Sequence, residues 1–174
     1  MGLEMLPLGL LERWYDEHAQ ALFAFLLNLT RNEADTRDLL QEIFVKLARQ
    51  PELLRNARNQ RAFLIRLAHN LAIDLIRRRG ARQRSCDQLT ADSLTVFEPS
   101  PDPDEQALRT ALTAALGQLP PDQRAVVHLK LWEGLTFEAI AEALAISPNT
   151  AASRYRYGLD KLRERLRLLY DEIK

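Results

Sequence analysis

A proline-punctuated acidic segment in the middle of the chain separates two helical blocks. Residues 85–108 carry six acidic side chains, no Lys or Arg, and prolines at positions 99, 101 and 103. Prolines at alternate positions cannot continue a helix, because each lacks a backbone N–H and disfavours helical conformation in the residue before it. The sequence therefore predicts two small domains, at 1–84 and 104–174, joined by an acidic linker at 85–103.

The composition indicates that both domains are all-α. The chain has 33 Leu and 22 Ala but only 7 Ile and 4 Val among its 174 residues. Leu and Ala favour helices, whereas β-branched residues favour strands. Glycine is also scarce, at 6 residues. We therefore predict two helical domains and no sheet.

Charge is balanced in total but separated along the chain. The 24 Lys and Arg against 24 Asp and Glu give a net charge of +0, which argues against a protein that coats nucleic acid through bulk positive charge. Five arginines nonetheless fall within residues 77–84, directly before the acidic segment. We expect the acidic linker to fold over this arginine cluster in the free protein.

Residues 8–84 show the periodicity of three main helices. The first covers about 8–30 and the third about 60–79. The second begins after Asn32, a favourable N-cap with Asp35 at N3, and ends before Pro51. Its apolar residues have the i, i+3, i+4, i+7 spacing of an amphipathic helix, and they are Leu40, Ile43, Phe44 and Leu47. The expected buried face of the third helix consists of Leu64, Leu67, Ala68, Leu71 and Leu75.

The second block predicts four helices, of which the last two form a helix-turn-helix. They cover about 104–117, 121–132, 137–143 and 148–170. Thr136 caps the third helix, and Ser147 and Pro148 supply an N-cap and a first-turn proline for the fourth. A short helix, a tight turn and a longer helix together are typical of DNA-binding proteins.

The start of the last helix carries the side chains that a DNA-reading helix needs. Opposite its apolar face lie Asn149, Thr150, Ser153 and Tyr157, flanked by Arg154 and Arg156. Short hydrogen-bonding side chains suit base edges, and arginines suit phosphates. Charge alone would favour an ordinary solvated face, but the preceding short helix and turn favour DNA reading.

Two further surfaces lie in the first block. Arg66, Asn70, Asp74 and Arg77 form one polar stripe on the third helix, and this stripe fits a nucleic-acid track and a solvated face equally well. The second helix has an acidic outer face of Asp35, Asp38, Gln41 and Glu42. Such a face is poorly placed for phosphate, so it indicates either a protein partner or a solubilising surface.

The chain shows no pattern of catalytic or metal-binding residues. Its three histidines lie on separate predicted helices, and Cys86 is the only cysteine. No nucleophile motif or phosphate-binding loop is present, so we expect no enzyme activity, metal or cofactor. We also expect a cytosolic protein without a membrane span, because no apolar run approaches about 18 residues. Trp14 and Trp132 are interpreted as core anchors.

Three motifs in order, together spanning nearly the whole chain, resemble an extracytoplasmic-function (ECF) sigma factor of bacterial RNA polymerase. Residues 32–47 (NEADTRDLLQEIFVKL) resemble the region 2.2 helix of that family, and residues 61–79 (RAFLIRLAHNLAIDLIRRR) resemble regions 2.3 and 2.4. Residues 115–166 resemble region 4, including Leu119-Pro120-Pro121 and the Glu133-Gly134-Leu135 turn.

The resemblance implies a role for each surface. In the family, region 2.2 docks on a coiled coil of the polymerase β′ subunit, and here the matching residues are Asp38, Gln41, Glu42 and Phe44. Regions 2.3 and 2.4 engage the −10 promoter element, and here the matching residues are Asn56, Arg58, Asn59, Gln60, Arg66, Asn70, Asp74, Arg77, Arg78 and Arg79. Region 4 reads the −35 element and touches the β flap, which implies DNA contacts by Asn149, Thr150, Ser153, Arg154, Arg156 and Tyr157.

The resemblance predicts a promoter-specificity subunit that has no chemistry of its own. Its implied partners are core RNA polymerase, promoter DNA and an anti-sigma factor, and the free chain is expected to be a monomer. The sequence is also compatible with two alternatives: a two-domain helix-turn-helix regulator acting without core polymerase, and a helical adaptor that binds only proteins.

Overall fold

The computed structural model describes residues 8–83 and 100–172, and every regular element in these ranges is an α-helix. The eight helices are α1 (Leu8–Thr30), α2 (Glu33–Arg49), α3 (Glu52–Arg55), α4 (Gln60–Gln83), α5 (Pro103–Gly117), α6 (Pro121–Leu131), α7 (Phe137–Leu144) and α8 (Pro148–Glu172). The all-α prediction is confirmed. The expected packing of the linker over the arginine cluster involves residues outside the described ranges.

Local capping chemistry determines where most of these helices begin. Asn32 Oδ1 accepts a hydrogen bond from the Asp35 amide at 2.9 Å, as predicted for the start of α2. The predicted apolar face of α2 is also buried. The short helix α3 was not predicted. It forms because Pro51 has helical dihedral angles at its N-cap, so the proline that ends α2 also starts the next turn.

Two boundaries differ from the prediction by a few residues. Helix α4 continues to Gln83, four residues beyond the predicted end, because the arginines after Asp74 are good helix formers. Helix α5 begins at Pro103, and Asp102 caps it by accepting a hydrogen bond from the Asp104 amide at 3.0 Å. The last linker proline is therefore the first-turn proline of a helix.

The turn of the helix-turn-helix contains an unusual backbone conformation. Ala145 has a φ of 56° and ends α7 in the left-handed region. The Ile146 amide donates to the Ala141 carbonyl at 3.0 Å, which closes the turn. Ser147 then caps α8 by accepting from the Thr150 amide at 3.0 Å. The tight turn predicted between the last two helices is therefore confirmed.

The two halves of the chain share one continuous apolar core. Helices α1 and α4 contact α6 and α7, and a single cluster of buried residues runs from Trp14 and Leu26 to Leu129 and Ile140. A smaller second cluster, among α5, α6 and α8, belongs to the C-terminal half alone. Because α6 lies between α1 and α8, residues 124–129 are all buried.

The prediction for the two tryptophans was half right. Trp14 is a core residue, as expected. Trp132 is 40% exposed, so its assignment as a core anchor was wrong. It caps the C-terminus of α6 and stacks on the ring of His128 with 5.4 Å between ring centroids. The buried aromatic side chain at this end of α6 is therefore His128 and not Trp132.

Helix α8 packs on α6 at a glycine, and this contact yields a prediction. A Cβ added at Gly158 would lie 2.7 Å from Val127 Cγ2, so we expect Gly158→Ala to lower the free energy of unfolding by about 1–3 kcal/mol through overpacking. Gly80→Ala is the matched control, because a Cβ at Gly80 meets nothing within 4 Å. Urea titration measures both variants, and equal stability of the two would contradict the prediction.

Candidate nucleic-acid and protein interfaces

The start of α8 presents three of the six predicted DNA-reading residues to solvent. Asn149 and Arg156 are exposed, and Tyr157 is 53% exposed. The Arg156 guanidinium lies 5.3 Å from the centroid of the Tyr157 ring, which orients both side chains. Ser153 is half-buried. Thr150 Oγ1 is 2.8 Å from Ser147 Oγ, so its hydroxyl also takes part in capping the helix.

Arg154 differs from its neighbours, because it is held by other parts of the chain. Its guanidinium lies 3.3 Å from a carboxylate oxygen of Asp122, at the start of α6. The other oxygen of Asp122 lies 3.8 Å from His69 Nε2 on α4. Burial lowers the pKa of His69, partly opposed by the Asp122 charge. Asp122 therefore joins the predicted DNA-reading helix to α4.

The loop before α4 is held mainly by its own polar side chains. Asn59 Oδ1 accepts from the Ala62 amide at 3.0 Å and caps α4, while Gln60 Nε2 donates to the Leu54 carbonyl at 3.3 Å. Asn56 ends α3. Of the predicted −10 residues here, Asn56, Arg58 and Asn59 are exposed and Gln60 is half-buried. The side chains of Asn59 and Gln60 already form hydrogen bonds to the backbone of this region.

The polar stripe on α4 is divided between solvent and intramolecular contacts. Asn70, Asp74, Arg77 and Arg78 are exposed. Arg66 is exposed too, but its guanidinium is hydrogen-bonded within the chain: Nη2 donates to the Glu142 carbonyl and Nε to the Ala143 carbonyl at 3.4 Å. Both acceptors lie at the end of α7, so the helix-turn-helix covers one end of the stripe. Arg79 forms an ion pair with Asp35, which ties the other end to α2.

The acidic face of α2 is a separate surface. Asp38, Gln41 and Glu42 are exposed on consecutive turns. Phe44, the fourth predicted polymerase-binding residue, is only 8% exposed, and its ring centroid lies 5.0 Å from that of Tyr15 on α1. Phe44 therefore acts mainly as a core residue that positions the face, although it also lines a groove of about 510 Å³ between α1 and α2.

Several polar residues that no sequence pattern assigned to a site join the two halves. Arg124 on α6 donates to the carbonyls of Asn28 and Leu29 at the end of α1. Asn28 Nδ2 donates to His128 Nδ1 at 3.3 Å. The sequence held one signal for them. Arg124 and His128 are four residues apart on a helix whose other residues from 125 to 129 are apolar. Residues with this spacing lie on the same face of a helix, so the sequence indicates that both side chains are buried against a neighbouring element.

An ion pair also crosses between the halves near these hydrogen bonds. Arg61 Nη2 on α4 lies 2.5 Å from Glu133 Oε2, and the other oxygen of Glu133 lies 3.9 Å from His128 Nε2. Burial nevertheless lowers the pKa of His128 to about 4, against the raising effect of Glu133. His128 is therefore neutral at pH 7.

Two negative findings concern the described residues only. Within residues 8–83 and 100–172, no three His, Cys, Asp or Glu side chains are grouped so that they could hold a metal ion. None of the helices in the same ranges is long and apolar enough to cross a membrane.

Comparison with known proteins connects these surfaces to a family. Residues 14–82 match the family described as Sigma-70 region 2, and residues 109–162 match Sigma-70, region 4. The solved structure of the Bartonella quintana sigma factor RpoE, in complex with the anti-sigma factor NepR, has the same fold. The TM-score is 0.74 over 90% of this chain and 96% of that one, at 23% identity.

Relatives with higher identity match along most of their length. The ECF RNA polymerase sigma factor SigL of Mycobacterium tuberculosis is 36% identical over 157 residues, which cover 89% of this chain and 88% of SigL. SigX of Bacillus subtilis is 30% identical over 91% of this chain and 84% of its own. CarQ of Myxococcus xanthus is 35% identical, with 93% and 92% covered. With both family regions present in order, the chain belongs to the ECF sigma factors, the subunits that direct transcription initiation by core RNA polymerase.

Proposed function

We propose that this sigma factor divides promoter recognition among three of its surfaces. The tip of α8 reads the −35 element, the loop before α4 and the α4 stripe engage the −10 element, and the acidic face of α2 binds the β′ coiled coil. One observation supports the division most directly: the three surfaces lie on different helices, and each keeps exposed side chains suited to its ligand. The polymerase supplies the active site, and this chain has no chemistry of its own.

The same proposal assigns the domains and the remaining partners. Residues 1–84 form the polymerase-docking and −10 domain, 85–103 the linker, and 104–174 the −35 domain, which also touches the β flap. The RpoE relative of known structure is bound to an anti-sigma factor, and we propose that an anti-sigma factor also regulates this chain. A monomer working in the cytoplasm, where polymerase acts, completes the proposal.

Run-off transcription tests the proposal as a whole. Core polymerase is incubated with a genomic promoter library, with and without the full chain. We expect discrete transcripts only when the chain is present, because core polymerase alone does not select promoters. Specific binding of the chain alone to palindromic duplex DNA, with no effect on transcription, would instead support a regulator that acts without polymerase.

The assignment of α8 makes a quantitative prediction. In the holoenzyme, Arg154→Ala and Arg156→Ala should each weaken binding to a −35 duplex by about tenfold, the effect of losing one charged hydrogen bond of about 1.5 kcal/mol. Each should also reduce the salt slope of log K by about 1, as expected for one lost phosphate contact. Fluorescence anisotropy across a salt series measures both quantities.

Arg163→Ala is the matched control for these variants. Arg163 is exposed on the same helix, where it pairs with Asp160, but it lies about 1.7 turns beyond Tyr157, the last residue of the reading tip. Its replacement should leave affinity and salt slope unchanged. An unchanged slope for Arg154→Ala and Arg156→Ala as well would rule out phosphate contact at the tip of α8.

A further inference from the structure

A cavity of about 290 Å³ lies between α1, α4 and the C-terminal end of α6, so both halves of the chain form its walls. Five of its lining residues are apolar and no more than 5% exposed, namely Leu22, Phe25, Leu64, Ile65 and Leu129. Three others are charged and lie nearer to solvent, namely Glu17, Arg61 and Glu133. An apolar wall with a few polar groups at its rim is the usual construction of a small-molecule site.

The volume of this cavity sets the size of the molecule that fits it. An apolar cavity of about 150 Å³ lined by Leu, Ile and Phe side chains binds benzene. The present cavity is about twice as large, so it has room for one ring or a short alkyl group together with a short polar tail. Pockets for drug-sized molecules span about 300–1,000 Å³, so this one suits a ligand at or below the lower end of that range.

The charges at the rim determine the chemistry of the ligand. Arg61 is already paired with Glu133, since its Nη2 lies 2.5 Å from Glu133 Oε2. The side chain of Glu17 has no ion-pair or hydrogen-bond partner within residues 8–83 and 100–172. His18 also lines the cavity, and a neutral histidine adds no charge. Two carboxylates and one guanidinium therefore leave one uncompensated negative charge, at Glu17.

An ammonium group is the cation that suits this arrangement. Beside Glu17 it gains a charge-assisted hydrogen bond, while the apolar body of the ligand leaves water to cover Phe25 and Leu129. A neutral molecule of the same shape keeps the apolar contacts and loses the charged one. An anion would be repelled by Glu17 and would have to displace Glu133 from Arg61 in order to find a partner.

We propose that the cavity between α1, α4 and α6 binds a small primary amine that carries one ring or a short alkyl body. Glu17 binds the ammonium group, and the buried apolar wall binds the body. The site is separate from the promoter and polymerase surfaces proposed above, because none of its lining residues belongs to them. Since its walls come from three helices, a bound amine also stabilises the folded chain by linkage.

Titration of the full-length, nitrogen-15-labelled chain with 2-phenylethylamine tests the site by NMR. The measurement is made at pH 8, where histidine is neutral and the amine is protonated. We expect saturable shifts of amide signals from α1, α4 and α6, with a Kd on the order of 1 mM for so small a ligand. The neutral isostere 2-phenylethanol should bind about tenfold more weakly, because it lacks the charged hydrogen bond. The anion 3-phenylpropionate should bind more weakly still.

Two variants of α1 separate the charge at the rim from the space in the cavity. Glu17→Gln keeps the shape of the side chain, so it should weaken binding of the amine about tenfold and leave that of 2-phenylethanol unchanged. Ala21 is exposed and lines the cavity, so Ala21→Leu fills space there with a good helix former and should weaken both ligands at least tenfold. Glu12→Gln and Ala24→Leu are the matched controls, at exposed positions of α1 that do not line the cavity.

Each outcome supports or overturns the amine site. Saturable binding that is weakened by Glu17→Gln and Ala21→Leu, but not by either control, supports it. Equal affinity for 2-phenylethylamine and 2-phenylethanol, or tighter binding of 3-phenylpropionate, would overturn the assignment to an amine. No saturable shift with any of the three compounds, at concentrations well above the expected Kd, would show that the cavity holds only water. Equal binding by Ala21→Leu and Ala24→Leu would place the ligand elsewhere and reject this cavity as the site.

Discussion

Replacement of Asp38 by arginine is expected to abolish assembly of this sigma factor with core polymerase. Asp38 is exposed on α2, one turn before Glu42 and next to Gln41 on the same face. A reversed charge within a complementary interface creates like-charge repulsion of several kcal/mol, which corresponds to at least a hundredfold loss of affinity, on the order of 3 kcal/mol. Run-off transcription should disappear together with binding. The measurement is co-purification with tagged core polymerase, followed by titration.

The fold of the Asp38→Arg variant should be intact, because the side chain points to solvent and exposed substitutions usually change stability by about 0.5 kcal/mol or less. Asp160→Arg is the matched control, since it makes the same change of charge at an exposed site on α8. Binding of Asp38→Arg to core polymerase as tight as that of Asp160→Arg would refute docking through α2.

Acidification is expected to lower the free energy of unfolding of this chain through His128. The pKa of this histidine is about 4 in the folded protein, lowered from 6.5 mainly by burial. As the pH falls below 6.5 the unfolded chain binds a proton and the folded chain does not, so the free energy of unfolding falls. The loss is complete once the pH is below 4. A difference of about 2.5 pKa units corresponds to at most about 3 kcal/mol.

Urea titrations at closely spaced pH values test this expectation. Other groups also titrate in this window, and His69, whose pKa is likewise lowered by burial, acts in the same direction. The informative quantity is therefore the difference between wild type and His128→Phe, which retains a ring against Phe25 and Trp132. The variant should have a clearly shallower slope of stability between pH 6.5 and 4. Parallel slopes would show that His128 carries no such linkage.

The sequence predicted those parts of the structure that depend on neighbouring residues. Asn32, Thr136 and Ser147 cap helices because each side chain accepts a hydrogen bond from the amide three residues ahead, and such contacts can be read from local spacing. The exposed acidic face of α2 and the exposed tip of α8 follow from helical periodicity in the same way. The family resemblance added a partner for each surface as an expectation.

The domain packing could not be predicted in this way. The bond between Asn28 and His128 joins residues 100 positions apart, and that from Arg66 to Glu142 joins residues 76 apart. Nothing in helical periodicity distinguishes an arginine that faces solvent from one that caps a distant helix. Phe44 is a separate case, because its spacing already placed it on the apolar face of α2 while the resemblance implied a binding role. Its i, i+4 partner Leu40 and the ring of Tyr15 place it mainly in the core.

The continuous core described above has a consequence for how the chain folds. Buried residues of α1 and α4 pack directly on Leu129 and Ile140. Part of the apolar core of each half is therefore formed by residues of the other half. The two halves are then one cooperative unit, although they are homologous to separate sigma regions. Opening uncovers apolar surface on both halves, so the open form is favoured where another surface covers what it exposes. The affinity of any partner that covers this surface therefore includes the free energy that is needed to separate the halves.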